Sequence, residues 1–323
     1  MSPSPLDAQA RLLGPVTAIE YGERAVFYDE LHFKALQLAQ RIRQEAPKPG
    51  TPIAIAIPRG VNHILAQIAI IYAGGTCVPL DTKQPDFFLR KLVQNLDVKL
   101  ALVDIEKWSR HLEIDNILVD HTLSSELSDE EFEICSNGPS SCSHILHTSG
   151  TTGEPKAVQI LAGGIINLAF NSTTLFQYGQ RLAHIGNTVF DITLFETWVC
   201  LLRGGTIVVY PHEIVIDPVI FSQSLREDQI EVVFITTALL NTIAKTYPEA
   251  FSTVHTLMTG GEIINVPMIR NIFDHGPPER VIHMYGPTEC TVFVISHEIT
   301  AADIYNGRIP LGKPIGNFQL FIA

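Results

Sequence analysis

Short apolar runs alternate with amphipathic helical stripes along most of this chain, and that rhythm restricts its fold more than any other feature. Residues 27–47 put Leu31, Ala35, Leu38, Ala39 and Ile42 on one helical stripe. TPIAIAI then reads as a strand, PRG as a turn and HILAQIAIIYAGG as a helix; CVPL, FFLRKLVQNL and KLALVD repeat strand, helix, strand. The rhythm returns in RLAHIG, LFETWVCLLRGG, TIVVY, PVIFSQSLREDQ, EVVFIT, TALLNTIAKTY, VHTLMTGG, VPMIRNIF and ERVIHMYGPTE. The strands are apolar throughout instead of alternating, as strands covered on both faces are. The pattern predicts an α/β fold of two successive layered lobes with mainly parallel sheets, at about 15–165 and 166–300, with 301–323 opening a further β segment. A chain of 323 residues is also longer than one hydrophobic core usually serves.

Residues 113–142 interrupt the rhythm. Within and just past that stretch, SSELSDEEFEICSNGPSSCS (124–143) is acidic and turn-rich, which predicts a solvated surface connection. The sequence is 46% hydrophobic and 17% charged, which is ordinary for a globular chain, so composition excludes classes without naming one. A formal net charge of −12, with no useful Lys/Arg run, argues against nucleic acid as a partner. MSPSPLDAQARLLG lacks a signal pattern, and the most apolar stretch is broken by Gln67 and Gly74–Gly75, so no membrane association is expected. Five cysteines without CxxC spacing fit a reducing, cytoplasmic setting. Of twelve histidines, His144 and His147 lie three apart on a predicted strand and point to opposite faces, so no histidine metal site is expected.

In layered α/β folds ligands gather beyond the carboxyl ends of the strands. Four such ends carry unusual chemistry: HTSGTTGEPK (147–156), VFD (189–191), MTGGE (258–262) and MYGPTEC (284–290). In the first, Thr148, Ser149, Gly150, Thr151, Thr152 and Gly153 precede Lys156, between an expected strand and a helix expected to open at QILAGGIINLAF. Glycines that let backbone N–H groups converge, hydroxyl donors and a lysine suit a polyphosphate. The spacing is not that of a Walker loop, so the segment is a phosphate loop of another kind or only a turn. Asp191 is a lone carboxylate that also suits a helix cap. Gly260 and Gly261 permit a flat ring to approach the backbone, Tyr285 can stack on a purine, and Glu289 can hold Mg²⁺ against phosphate oxygens.

HTSGTTGEPKAV, FDITLFETW, TGGE and MYGPTE, in this order, resemble the core motifs of adenylate-forming enzymes, and more narrowly the adenylation domains of nonribosomal peptide synthetases. YDEL, AGGTCVPLDTKQP and GRIPLGKPIGNFQL extend the resemblance over nearly the whole of residues 1–323. It implies that ATP and Mg²⁺ activate an amino acid as its adenylate, which passes to the phosphopantetheine thiol of a carrier domain. By the same resemblance, Thr148 to Gly153 and Lys156 hold the β- and γ-phosphates. Gly261 and Glu262 flank the adenine, Tyr285 stacks on it, Thr288 touches the α-phosphate and Glu289 binds the metal. Asp191 pairs with the substrate α-ammonium group. Ile192, Phe195, Phe234, Met258, Gly260, Met284, Val292 and Phe293 line a side-chain pocket, apolar and suited to a branched aliphatic group.

The chain departs from the family pattern at three places. His283 stands where an asparagine commonly reads the adenine amino group, and Ala157 replaces a glycine. Cys290, beside Glu289, has no recognisable base partner and is expected to be no more than an alkylation handle. The later motifs, a C-terminal lysine-bearing subdomain and the carrier domain are not in this sequence, so the expectation is a truncated core of impaired turnover. Two rivals remain: an aryl- or fatty-acyl-CoA ligase, and a non-catalytic nucleotide-binding remnant.

Overall fold

The computed structural model describes residues 5–46, 48–105, 112–119, 132–135, 138–148 and 155–321. The chain divides into two compact units interleaved in sequence. The first comprises residues 1–19, 25–164 and 187–193; the second comprises 20–24, 165–186 and 194–323. Among the described residues no helix is long and apolar enough to cross a membrane.

The N-terminal segment, which carried no expectation of structure, forms a helix, Pro5–Leu13, followed by strands β1 (Thr17–Tyr21) and β2 (Arg24–Phe27). The helix Tyr28–Glu45 buries the predicted stripe, Leu31, Ala35, Leu38, Ala39 and Ile42. The six-stranded sheet of the first unit is built from β3 (Pro52–Ala56), β4 (Thr76–Pro79), β5 (Leu100–Val103), β6 (Asp115–Leu118), β7 (Cys142–Thr148) and β8 (Lys156–Leu161). Their spatial order is β6-β5-β3-β4-β7-β8, parallel except for the β7–β8 pair. Ala54, Ala56, Val78, Ala101 and Val103 share one core with Leu89, Leu92 and Val93 of the helix Asp86–Asn95.

Two sequence expectations are corrected here. The strand–helix rhythm is not interrupted throughout 113–142, since 115–118 form β6 in parallel register with β5 and bury Ile117, while half of the expected surface connection, 124–131 and 136–137, lies outside the described residues. Tertiary pairing supplies what an acidic, turn-rich neighbourhood conceals. QILAGG does not open a helix: Gln159 to Leu161 complete β8, and the helix starts at Ala162. Burial alternates along β8, with Val158 and Ile160 inside, as in a half-covered edge strand.

The second unit's sheet continues with β9 (Arg181–His184), β10 (Thr206–Val209), β11 (Val232–Thr236), β12 (Thr256–Gly260), β13 (Arg280–Tyr285), β14 (Ile295–Glu298) and β15 (Lys313–Pro314). From β15 the order runs β15-β14-β13-β12-β11-β9-β10-β1-β2, with antiparallel pairing at β13–β14 and β14–β15. Arg181 of β9 makes a two-pronged ion pair with Glu20, at 3.0 and 2.6 Å, and donates from Nε to the Asp228 carbonyl at 2.7 Å. Val233, Ile235, Leu257 and Val281 pack with the helical layer through Phe221, Leu225, Leu240, Ile243, Ile269 and Ile272. Strand alternation sends Phe234, Met258, Ile282 and Met284 to the opposite face.

The helix expected over LFETWVCLLRGG is interrupted. Ile192–Leu194 and Cys200–Leu202 are α-helical, but Phe195–Val199 is a π-helical turn, every residue of it buried. Hydrophobic periodicity does not distinguish the two helix types over a single turn, and π-turns concentrate at functional sites.

Candidate active site

The predicted residues of the first unit fall on the β7–β8 hairpin and on the segment 187–193. Thr148 and Lys156 are direct register partners at the end of the hairpin, Thr148 partly buried and Lys156 exposed. Ser149, Gly150, Thr151, Thr152 and Gly153 lie outside the described residues. Lys156 therefore follows its loop as the first residue of a strand, not at a helix N-terminus. In the segment 187–193, Asp191 is partly buried and Ile192 is buried. The Phe190 and Thr193 N–H groups donate to the Asn187 and Phe190 carbonyls, which shapes the turn around Asp191.

In the second unit, strand register brings together four of the eight residues expected to line a side-chain pocket. Phe234 pairs with Met258 across β11 and β12, and Gly260 pairs with Met284 across β12 and β13. All four lie on one face because i and i+2 positions of a strand share a side. Rings extend this wall. Phe293 lies 5.3 Å from Phe234 and 5.7 Å from Phe195 between centroids, and Phe195 meets Phe176 edge-on at 6.4 Å.

The loop after β13 explains how Phe293 gets there. Val294 N–H donates to the Tyr285 carbonyl at 3.0 Å, closing the loop on itself. Phe293 N–H donates to the Thr291 carbonyl at 3.0 Å, turning the chain about Val292. Thr291 and Val292 have φ of 60° and 73°, a left-handed conformation that β-branched residues seldom adopt. Such backbone strain persists only where surrounding packing over-determines it. A Cβ at Gly286 would collide with the Val292 carbonyl, so the closed loop requires a glycine there. Thr288 and Glu289 sit on the 3₁₀ turn within this loop, Thr288 partly buried, Glu289 and Cys290 exposed.

A cavity of about 500 Å³ opens beside the same strand ends. It gathers the predicted Gly261, Glu262, His283, Met284 and Tyr285 and adds Ile263, Ile264, Val266, Gly286, Gly307, Arg308, Ile309 and Leu311. Its size and largely apolar walls with a few polar groups suit a small organic ligand. Tyr285 and Ile263 are both exposed, and Glu262 is exposed at the rim. His283 Nδ1 lies 3.0 Å from the Pro310 carbonyl. A carbonyl only accepts, so Nδ1 carries the proton and Nε2 of the neutral ring is an acceptor. Burial lowers the His283 pKa, the Pro310 bond opposes that shift and His297 adds to it. A second cavity, about 390 Å³ beside Arg41, Glu45 and β6, contains none of the predicted residues.

Sequence reasoning missed Arg308, Ile309 and Leu311 as cavity residues, although GRIPLG had been noted as a motif. It also missed Glu196. This carboxylate is completely buried and accepts from the Gly186 N–H at 3.1 and 3.0 Å and from the Ile185 N–H at 3.3 Å. A carboxylate inside an otherwise apolar helical stretch, LFETWVCLL, was the available signal.

The chain belongs to the AMP-binding enzyme family, whose model matches residues 6–323. Within that family its similarities run to adenylation domains of nonribosomal peptide synthetases. It is 37% identical over 311 residues to the nonribosomal peptide synthetase asaC of Aspergillus flavus, covering 95% of this chain and 30% of that one. It is likewise 37% identical over 312 residues to a protein of the same fungus named aldehyde reductase lnaA, covering 95% of this chain and 30% of that one. Among solved structures, it matches PA1221, a synthetase protein with adenylation and carrier domains bound to a vinylsulfonamide inhibitor, with a TM-score of 0.88 and 27% identity. That match covers 97% of this chain and 54% of the other. The chain thus spans less than a third of the length of these two Aspergillus relatives.

Proposed function

We propose that this core activates an apolar amino acid with ATP for transfer to a carrier thiol. The amino acid carboxylate attacks the α-phosphorus, pyrophosphate leaves, and the aminoacyl-adenylate is the product. Such a reaction rests mainly on positioning and charge neutralisation. The observation that carries the reading is the cavity bordered by Glu262, His283 and Tyr285 at the carboxyl ends of the strands. Tyr285 offers a ring face to the adenine, and His283 Nε2 offers an acceptor to its exocyclic amino group. Thr148, Lys156 and the intervening residues hold the terminal phosphates, and Thr288 contacts the α-phosphate.

Mg²⁺ suits the residues present. Glu289 is an exposed carboxylate one residue from the Thr288 hydroxyl, and no group of three or more ligating side chains occurs among the described residues. A single carboxylate, with phosphate oxygens and water, is the usual way such an ion is held. Bound there, the ion supplies charge neutralisation at the phosphates.

Asp191 is assigned to the substrate ammonium group and the Phe195–Phe234–Phe293 cluster with Met258 and Met284 to its side chain. The ring contacts and the absence of charge in that set support an apolar substrate. The carrier thiol is the expected acceptor of the acyl group. The name of lnaA makes a reductive fate of the activated acyl group the second reading.

The test is calorimetric binding of non-hydrolysable aminoacyl-adenylate analogues to the full-length protein, with Val, Ile, Leu and Phe side chains and one deaminated member. An aliphatic amino analogue should bind best and lose its advantage in Asp191→Ala. Equal binding of the deaminated analogue would move the protein to the simple-acid ligases.

A further inference from the structure

Glu196 occupies a place for which an apolar core gives no reason. It lies in the π-helical turn Phe195–Val199, fully buried, with Phe195 on one side and Thr197 on the other. Its two oxygens gather the backbone N–H groups of Ile185 and Gly186, which follow directly on the last residue of β9. Its Oε2 also lies 3.6 Å from His184 Nδ1, while His184 Nε2 meets the Thr197 hydroxyl at 3.3 Å. Three consecutive residues, 184–186, are thereby tied to two consecutive residues of the helix, Glu196 and Thr197. Backbone donors leaving a strand inside the protein must find acceptors, and a carboxylate accepts from several at once.

The covalent position of this tie gives it a function. Asn187 follows Gly186, and the segment 187–193 carries Asp191 and Ile192 before the chain re-enters the second unit at Leu194. Glu196 therefore closes the stem of that segment. The same turn presents Phe195 to Phe293.

We infer that Glu196 is a positioning residue for substrate reading: its carboxylate, with His184 and Thr197, ties together the two chain ends, 184–186 and 196–197, between which the Asp191 segment runs, and fixes the turn that sets Phe195 in the ring cluster. The inference rests on the amino-acid-activating role proposed above, but part of its test does not.

Glu196→Leu keeps nearly the same size and removes both oxygens that accept from Ile185 and Gly186, breaking the tie without opening a large cavity. In the full-length protein, amide hydrogen exchange over residues 185–194 should accelerate at least ~10-fold, with distant segments unchanged. An aminoacyl-adenylate analogue with an apolar side chain should bind at least ~10-fold more weakly, as displacement of a positioning group produces. AMP-PNP, which carries no amino acid side chain, should bind within about twofold of wild type on the same grounds. Unchanged exchange over 185–194 would overturn the inference, as would equal losses for the analogue and AMP-PNP. If the wild-type protein binds no aminoacyl analogue, the proposed function fails, while exchange still decides the role of Glu196 in holding the stem. Should Glu196→Leu not fold, Thr197→Val removes only the hydroxyl beside His184. It must then show the same local exchange pattern at lower amplitude, and its absence counts against the inference.

Discussion

The carbonyl oxygen of Met284 occupies the space that a Cβ on Gly260 would need, the two residues being register partners across β12 and β13. The two strands can approach this closely only because one of them carries a glycine. Gly260→Ala should push β12 and β13 apart at their carboxyl ends, costing about 1–3 kcal/mol as overpacked cores do. A urea titration should show the lower midpoint, and analogue binding should fall with it.

Phe293 joins Phe195 and Phe234, and its position depends on the strained turn at Thr291 and Val292. Phe293→Leu should preserve most of the packing while enlarging the cluster's free space. The expected outcome is a shift of analogue preference toward bulkier side chains, by about 1–3 kcal/mol at most, since small apolar volume changes discriminate weakly. Competition calorimetry between Val and Phe analogues measures it.

The Arg181–Glu20 pair is two-pronged and mostly shielded, with 24% and 28% of the side chains exposed. Its bond to Glu20 raises the Arg181 pKa, against the opposing effect of burial. Glu20→Gln should destabilise the second unit by about 1–2 kcal/mol, more than a loose surface pair would. Hydrogen exchange in β9 and β10 should rise, with β3–β5 of the first unit unaffected.

Acid should destabilise the first unit through two buried histidines. Burial depresses His63 to about 4, against the bond to the Ile57 carbonyl, and depresses His144 to about 3 with His63 contributing. Unfolding restores both to roughly 6.5, so the unfolded chain binds more protons in the interval. The stabilising contribution is complete above pH 6.5 and is lost as pH falls toward 4 for His63 and 3 for His144. Urea unfolding between about pH 6.5 and 4.5 should show the decline. Removing one of them, as in His63→Leu, should lessen the slope by up to about 1.4 kcal/mol per pH unit.

Much of the architecture was readable because periodicity encodes burial. The stripe Leu31 to Ile42 and the apolar runs of β3, β5, β9 and β11 met their predicted elements. Failures occurred where local sequence was neutral between alternatives. β6 carries only Ile117 as a buried side chain and exists because β5 offers an edge. Gln159 to Leu161 have an apolar content compatible with either helix or strand, and pairing with β7 decided it. The π-turn at Phe195 left no trace in periodicity, because one added residue per turn falls within the noise of a short apolar run.

Amino-acid order alone determined the layered α/β class and the strand ends at which chemistry is gathered, since apolar spacing and turn residues act locally. Motif order pointed to the family. Only tertiary structure decided which of those residues meet: the register that sets Phe234 beside Met258 and Gly260 beside Met284, and the loop closure that brings Phe293 to Phe195. It also assigned the His283 proton, through a carbonyl twenty-seven residues away, and gave Glu196 its two backbone partners. Such contacts depend on long-range geometry, and a buried carboxylate or a strained β-branched turn becomes intelligible only once its neighbours are in place.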